Sequence, residues 1–209
     1  KIEYIPELDN ILQYSGSSIR ITGTKGIRMI TSLTKANKKA LTGSGLAGYK
    51  LVEYGTRVEY HLRGIFELDF PEYRVEHEPF SIYTNSEYPW ACASLDGRIF
   101  EDMSGRTGVL EIKSATINGS AQAEKWKGRI PDNYFCQILH YMAVMEADFA
   151  ILKAQLKYER PVDLLEVTKH FYIEMEDVRD QAEYLMEEER KFWQYVTADK
   201  EPPLVLPEI

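Results

Sequence analysis

Two carboxylates and a lysine stand at a spacing that chemistry can use. Ser94-Leu95-Asp96-Gly97-Arg98 is followed, fifteen residues after Asp96, by Gly108-Val109-Leu110-Glu111-Ile112-Lys113-Ser114. In a strand alternate residues share a face, so Glu111 and Lys113 project together, about 7 Å apart, while Leu110 and Ile112 face a core. Asp96 is expected to end the preceding strand, with Gly97 turning the chain so that a hairpin brings Asp96 beside Glu111. Two carboxylates converging with one backbone carbonyl make a hard-oxygen site suited to Mg2+ or Mn2+. Such an ion polarises a phosphate and makes a bound water acidic. Lys113 would hold the attacking water or neutralise charge gathering on phosphorus. A same-face Glu/Lys pair is otherwise an exposed ion pair worth about 0 to 1 kcal/mol. Val109, Leu110 and Ile112 predict a buried strand instead, where a charged pair needs a compensating partner such as a cation.

Two further residues face the same question. Glu59 lies at helical spacing from Val52, Leu62 and Phe66, on a stripe that should be apolar. It is either bound to metal or paired with Arg63 one turn on. Tyr134, Gln137 and Tyr141 share a helix face. There a neutral amide can take a water or a phosphate oxygen, although an aromatic stripe with one Gln also fits a core edge.

The elements that must position these groups follow from periodicity. The N-terminal third reads as interrupted helix: Ser15 to Ser18 is a loop, Thr22-Gly23-Thr24-Lys25-Gly26 precedes a helix start at Ile27 and Ile30, and Lys35 to Gly48 is a basic loop. Tyr49 to Leu68 is firmly helical. After Pro71 the period turns toward two, predicting strands at Tyr73–Glu76, Phe80–Tyr83, Pro89–Leu95 and Val109–Ser114. A short helix near Ser120–Lys127 precedes a longer one from Asp132 to about Glu146, opened by Pro131. Phe149–Tyr158 and Leu164–Glu174 form a hairpin across Glu159-Arg160-Pro161. Asp177–Val196 is an amphipathic helix, and Glu201–Ile209 a Pro-rich tail. The helix, sheet, helix order implies a single α/β domain with a mixed sheet.

Composition narrows the class. The 209 residues suffice for one sizeable core. No run of eighteen apolar residues and no basic-then-apolar start is present, so a cytoplasmic protein without a membrane partner is expected. Cys92 and Cys136 lie in apolar segments and read as small core hydrophobes. The scattered histidines argue against a transition-metal hydrolase. A net charge of -8 argues against indiscriminate coating of nucleic acid. It leaves room for a nuclease, which needs carboxylates for its metal and only a local basic surface for phosphate.

The motifs together resemble the PD-(D/E)XK nuclease superfamily, in particular its phage lambda exonuclease and YqaJ-type viral recombinase branch. Tyr88 to Gly97 is similar to the strand bearing the SPDG-type motif, with Leu95 where proline is common. Gly108 to Ser114 resembles the LEIK motif, Tyr134-x-x-Gln137 the helix-borne Tyr-x-x-Gln, and Tyr54 to Glu59 the helix of the first acidic residue. The resemblance implies a restriction-endonuclease-like α/β (α+β) core, a mixed central β-sheet flanked by helices. Within one domain over 1–209, residues 1–48 would be a helical DNA-end region, 49–174 the catalytic core and 175–209 a closing helix and tail.

It further implies that Asp96, Glu111 and the Ile112 carbonyl bind a first Mg2+, replaceable by Mn2+, with Glu59 near a second. Lys113 would be catalytic and Gln137 would orient the site. Thr24, with Lys25, Arg20 and Tyr134, would contact DNA, although Ser17 stands where the family carries a phosphate-binding Arg. The implied activity is 5'-to-3' digestion of linear double-stranded DNA from its ends, in phage-type recombination. The partners would be two further copies in a ring-shaped homotrimer and a single-strand annealing protein, in the bacterial host of a phage or prophage. An endonuclease on the same core and a non-catalytic DNA-end binding relative remain alternatives.

Overall fold

Alternation of apolar side chains after Pro71 folds into one mixed sheet, and the flanking helices cover its two faces. The computed structural model describes residues 2–4, 18–19, 32–33, 46–79, 81–159 and 164–203. Short strands β1 (Ile2–Tyr4), β2 (Ser18–Ile19) and β3 (Ser32–Leu33) precede helix α1 (Leu46–Asp69). Strands β4 (Tyr73–Glu76), β5 (Tyr83–Asn85), β6 (Cys92–Ala93), β7 (Gly97–Glu101) and β8 (Arg106–Ile117) follow. Helices α2 (Ser120–Lys125) and α3 (Asp132–Met145) lead to the hairpin β9 (Phe149–Glu159) and β10 (Leu164–Glu174), and then to α4 (Met175–Thr197).

The main sheet has the order β10-β9-β8-β7-β4. Its ladders are antiparallel except β8 with β9, where Gly108 pairs with Phe149 and Ile117 with Tyr158 in parallel. A parallel pair needs a long crossover, which α2 and α3 supply. Strand β5 separately pairs with β1 and β6, and β2 with β3.

The sheet is covered unequally. Leu110, Ile112, Ile99 and Ile151 face α1, where Leu62 and Phe66, one turn apart, close a small core. Val109, Leu152 and Ala154 face α3 and α4 in the larger core, with Ile138, Met142, Val178 and Met186. Both faces of the first part of β9 are therefore dry, as its apolar run Phe149-Ala150-Ile151-Leu152 requires. Each such Leu or Ile contributes about 1.5 to 3 kcal/mol by leaving water.

Most expected elements are present with small boundary shifts, and four differ. The N-terminal third, expected as interrupted helix, is strand wherever it is described before Leu46, in β1, β2 and β3, because these residues pair into ladders. The strand expected at Phe80–Tyr83 is Tyr83–Asn85, because buried Asn85 donates to the Val144 carbonyl (3.1 Å) and to Glu146 (2.9 Å), drawing the chain onto the end of α3. Pro89–Leu95 contributes only Cys92–Ala93 to a strand, since turns bonded from Tyr88 to Asn85 and from Ala91 to Tyr88 consume its start. Asp96 directly precedes a strand and does not end one: Gly97 opens β7. The expected helix start near Ile27 and the basic loop at Lys35, Lys38 and Lys39 lie outside the described residues, and so does the side chain of Val52. Cys92 and Cys136 are free thiols, and burial, then the charge of Glu189, pushes Cys92 up to about 11. No helix among the described residues is long and apolar enough to cross a membrane.

Candidate metal centre

Gly97 opposes Leu110 in the β7–β8 ladder, so Asp96, one residue earlier, comes level with Glu111. The close approach depends on glycine. A Cβ at Gly97 would stand 2.9 Å from Val75 and 3.4 Å from Leu110, and one at Gly108 only 2.6 Å from the Phe149 ring. These two positions leave room for the Val75 and Leu110 side chains and for the Phe149 ring on the strands around the acidic groups.

Asp96 Oδ2 accepts the backbone N–H of Ile112 at 2.7 Å. The N–H and C=O of one strand residue address the same neighbour. The Ile112 carbonyl therefore opens toward the edge where β7 has ended, beside Asp96. Glu111 and Lys113 project from the opposite sheet face, toward α3, and their side chains are hydrogen-bonded. Glu111 is 2% exposed, and its Oε2 has no hydrogen-bond partner among the described residues.

An orphaned carboxylate oxygen in a dry interior is costly unless a cation completes it. Burial raises the pKa of Asp96, opposed by the Lys113 charge and reinforced by Glu59. Burial also raises that of Glu111, and the Asp96 carboxylate raises it further. For Lys113 burial acts against the charge, but Glu111 and Asp96 outweigh it and hold the ammonium above its ordinary pKa.

This donor set fits a divalent cation of the Mg2+ type. Among the described residues no three His, Cys, Asp or Glu side chains form a metal cage. Two carboxylates and a carbonyl leave coordination positions for waters and phosphate, which Mg2+ prefers to a full protein cage.

The other expected residues surround this pair. Gln137 of α3 donates its amide to Tyr141 Oη at 3.1 Å. Burial, then the Glu111 charge, raises the Tyr141 pKa, which places the Gln137–Tyr141 pair within electrostatic reach of the centre. The Tyr134 ring stands 5.2 Å from Lys113 Nζ and packs on Trp126 at 5.6 Å. Glu59 approaches from α1, and its carboxylate accepts from Arg63 at 3.2 Å. Thr24, Lys25 and Arg20 lie outside the described residues.

Sequence reasoning treated Arg63 only as a helix neighbour of Glu59. In the fold the same Nη1 also donates to the Asp96 carbonyl, 33 residues away. Spacing on α1 could show the first contact and not the second.

A buried pair behind the centre also went unread. His140 Nδ1 meets both Glu189 oxygens at 2.8 and 2.9 Å, and its Nε2 meets the Cys92 carbonyl at 2.9 Å. Both ring nitrogens face acceptors, so the imidazolium is the form that satisfies them. Burial acts against that charge, and Glu189 with the Cys92 carbonyl outweighs it, raising the His140 pKa.

Comparison with known proteins assigns the chain to a family. The YqaJ-like viral recombinase domain family matches residues 15–148. An alkaline exonuclease (LHK-Exo) of Laribacter hongkongensis is similar at 15% identity over 81% of this chain and 87% of that one, with a TM-score of 0.42. The same exonuclease in complex with dAMP is similar at 16% identity over 79% and 86%, with a TM-score of 0.44. No curated protein matches the chain. With the matched span covering more than half of its residues, the Asp96/Glu111/Lys113 region included, the chain belongs to the YqaJ-like viral recombinase domain family.

Proposed function

We propose that this protein is a divalent-metal-dependent deoxyribonuclease that digests linear double-stranded DNA from its ends, 5' to 3', in phage-type recombination. The observation that carries the reading is Glu111: buried, level with Asp96, bonded to Lys113 through one oxygen and left with an orphan at the other. A Mg2+ ion, or Mn2+ in its place, held by Asp96, Glu111 and the Ile112 carbonyl would polarise the scissile phosphate and render a water nucleophilic.

The chain's own groups do the rest. Lys113, fixed by Glu111, holds a positive charge where negative charge accumulates as water adds to phosphorus. Breaking the phosphorus–O3' bond then leaves a 5' phosphate and a 3' hydroxyl, the leaving oxygen taking a proton from solvent. Gln137, tied to Tyr141, orients the site from α3. Tyr134 and Trp126 link Lys113 to exposed Lys125, Lys127 and Arg129, a basic strip on which the duplex backbone can lie.

The protein is proposed to act in the cytoplasm of the phage's host as a ring-shaped trimer that passes the exposed 3' strand to an annealing protein. Linear duplexes labelled at either end, incubated with Mg2+, Mn2+ or EDTA, test the activity, with a closed circular plasmid alongside. Metal-dependent release of 5' label from linear DNA and an intact plasmid are expected. Linearised plasmid would indicate an endonuclease, and binding without cleavage at any metal concentration would sink the reading.

A further inference from the structure

The resemblance implies a second ion near Glu59, but that carboxylate already has a cation. Arg63 is 8% exposed, and its Nη1 is shared between Glu59, at 3.2 Å, and the backbone carbonyl of Asp96. Glu59 and Arg63 sit one turn apart on α1, whose Leu62 and Phe66 are locked into the core on either side of Arg63. The guanidinium is therefore held on the Asp96 side of the centre by the helix itself. For Glu59 to serve an ion, this buried charge would have to give up the one carboxylate it pairs with among the described residues and face a divalent cation, which is doubly unfavourable.

Charge balance agrees. Asp96, Glu111 and Glu59 carry three negative charges, and Lys113 and Arg63 two positive ones. One divalent ion and one phosphodiester bring the remaining single negative charge to zero. A second ion would leave two positive charges uncompensated beside the buried Arg63 guanidinium.

We propose that this site takes a single divalent ion, and that Arg63 occupies the place of the second, neutralising Glu59 and holding the Asp96 backbone as a positioning residue. The inference rests on the metal-site reading above.

The test counts ions. Bound Mn2+ is measured by electron paramagnetic resonance on the wild type, Glu59→Gln and Arg63→Gln, each with and without a phosphorothioate duplex. One ion per chain is expected in the wild type, and the same count and affinity in Glu59→Gln, because Glu59 is not a ligand. Arg63→Gln, folded by circular dichroism, is expected to admit a second ion when the duplex is present. Two ions in the wild type, loss of the ion in Glu59→Gln, or a count held at one in folded Arg63→Gln would each overturn the inference and leave Asp96 and Glu111 as ligands. No bound ion in the wild type, with or without duplex, would instead overturn the metal-site reading on which it rests.

Discussion

Asp96 serves twice, through its carboxylate charge and as the acceptor of the Ile112 N–H at 2.7 Å, so its two uses can be separated. Asp96→Asn keeps an acceptor and loses the charge. It should fold with the wild-type circular dichroism spectrum yet lose both Mn2+ binding and DNA cleavage, and full activity would refute its assignment as a ligand. Lys113 is proposed to act on the reaction and not on the ion. Lys113→Ala should bind Mn2+ and duplex while its cleavage rate falls by about 10^2 to 10^3. Because the substitution also leaves Glu111 without its ion pair, Mn2+ should raise the melting temperature of Lys113→Ala more than that of the wild type. Normal cleavage by the variant would reduce Glu111 and Lys113 to a structural pair.

At the scale of elements, the centre depends on how closely β8 and β9 approach and on what holds α3 in place. A methyl group at Gly108 would meet the Phe149 ring at 2.6 Å. Gly108→Ala should therefore cost about 1 to 3 kcal/mol through overpacking. Adding Phe149→Leu should recover part of that loss in urea denaturation; a loss that does not recover would mean that the ring is not the obstacle. Helix α3, which carries Gln137 and Tyr141, is pinned to α4 and β6 by His140, Glu189 and the Cys92 carbonyl. The folded pKa of His140 is raised. Its contribution to stability is thus fully present below the unfolded value of about 6.5 and is lost as pH rises through the folded pKa. Glu189→Gln should lower the melting temperature most near pH 5 to 6, with the gap to the wild type narrowing in alkaline buffer. A gap independent of pH would show that the imidazole is neutral in the fold.

The whole molecule carries a net charge of -8, which disfavours long residence of one chain on DNA. Its acids are not spread evenly. Glu176, Asp177, Asp180, Glu183 and Glu188 are exposed along α4, while Lys125, Lys127 and Arg129 are exposed beside Trp126, on the side of Tyr134 and Lys113. Closed cyclic symmetry, with the basic strip turned inward and α4 outward, would present phosphate with the local field and not the net charge. Light scattering should then give a trimer. Single-encounter digestion tracts should be long and should shorten as salt rises, because phosphate contacts release counterions. A monomer that cuts distributively at every salt concentration would remove the ring and leave the metal centre standing.

Local pattern by itself determined the elements and the family. The parity of Glu111 and Lys113 on an apolar strand, Gly97 after Asp96, and the Tyr134–Gln137 spacing on a helix opened by Pro131 are short-range properties, and the match over residues 15–148 agrees with the family reading. The same locality misled at β7, where glycine after Asp96 read as a turn, although Ile99 is fully buried and Gly97 itself enters the ladder opposite Leu110. Glu59 was undecidable from sequence, because a carboxylate on an apolar stripe fits a metal and an Arg equally well. Only tertiary contact decided that Arg63 holds Glu59 and the Asp96 carbonyl together, that His140 meets Glu189 from 49 residues away, and that Lys153 is buried against Asp69 at 3.3 Å. Periodicity assigns a side chain to a face. What lies opposite that face is set by chain closure over tens of residues, and it is there that a charge finds its partner or is left for a metal.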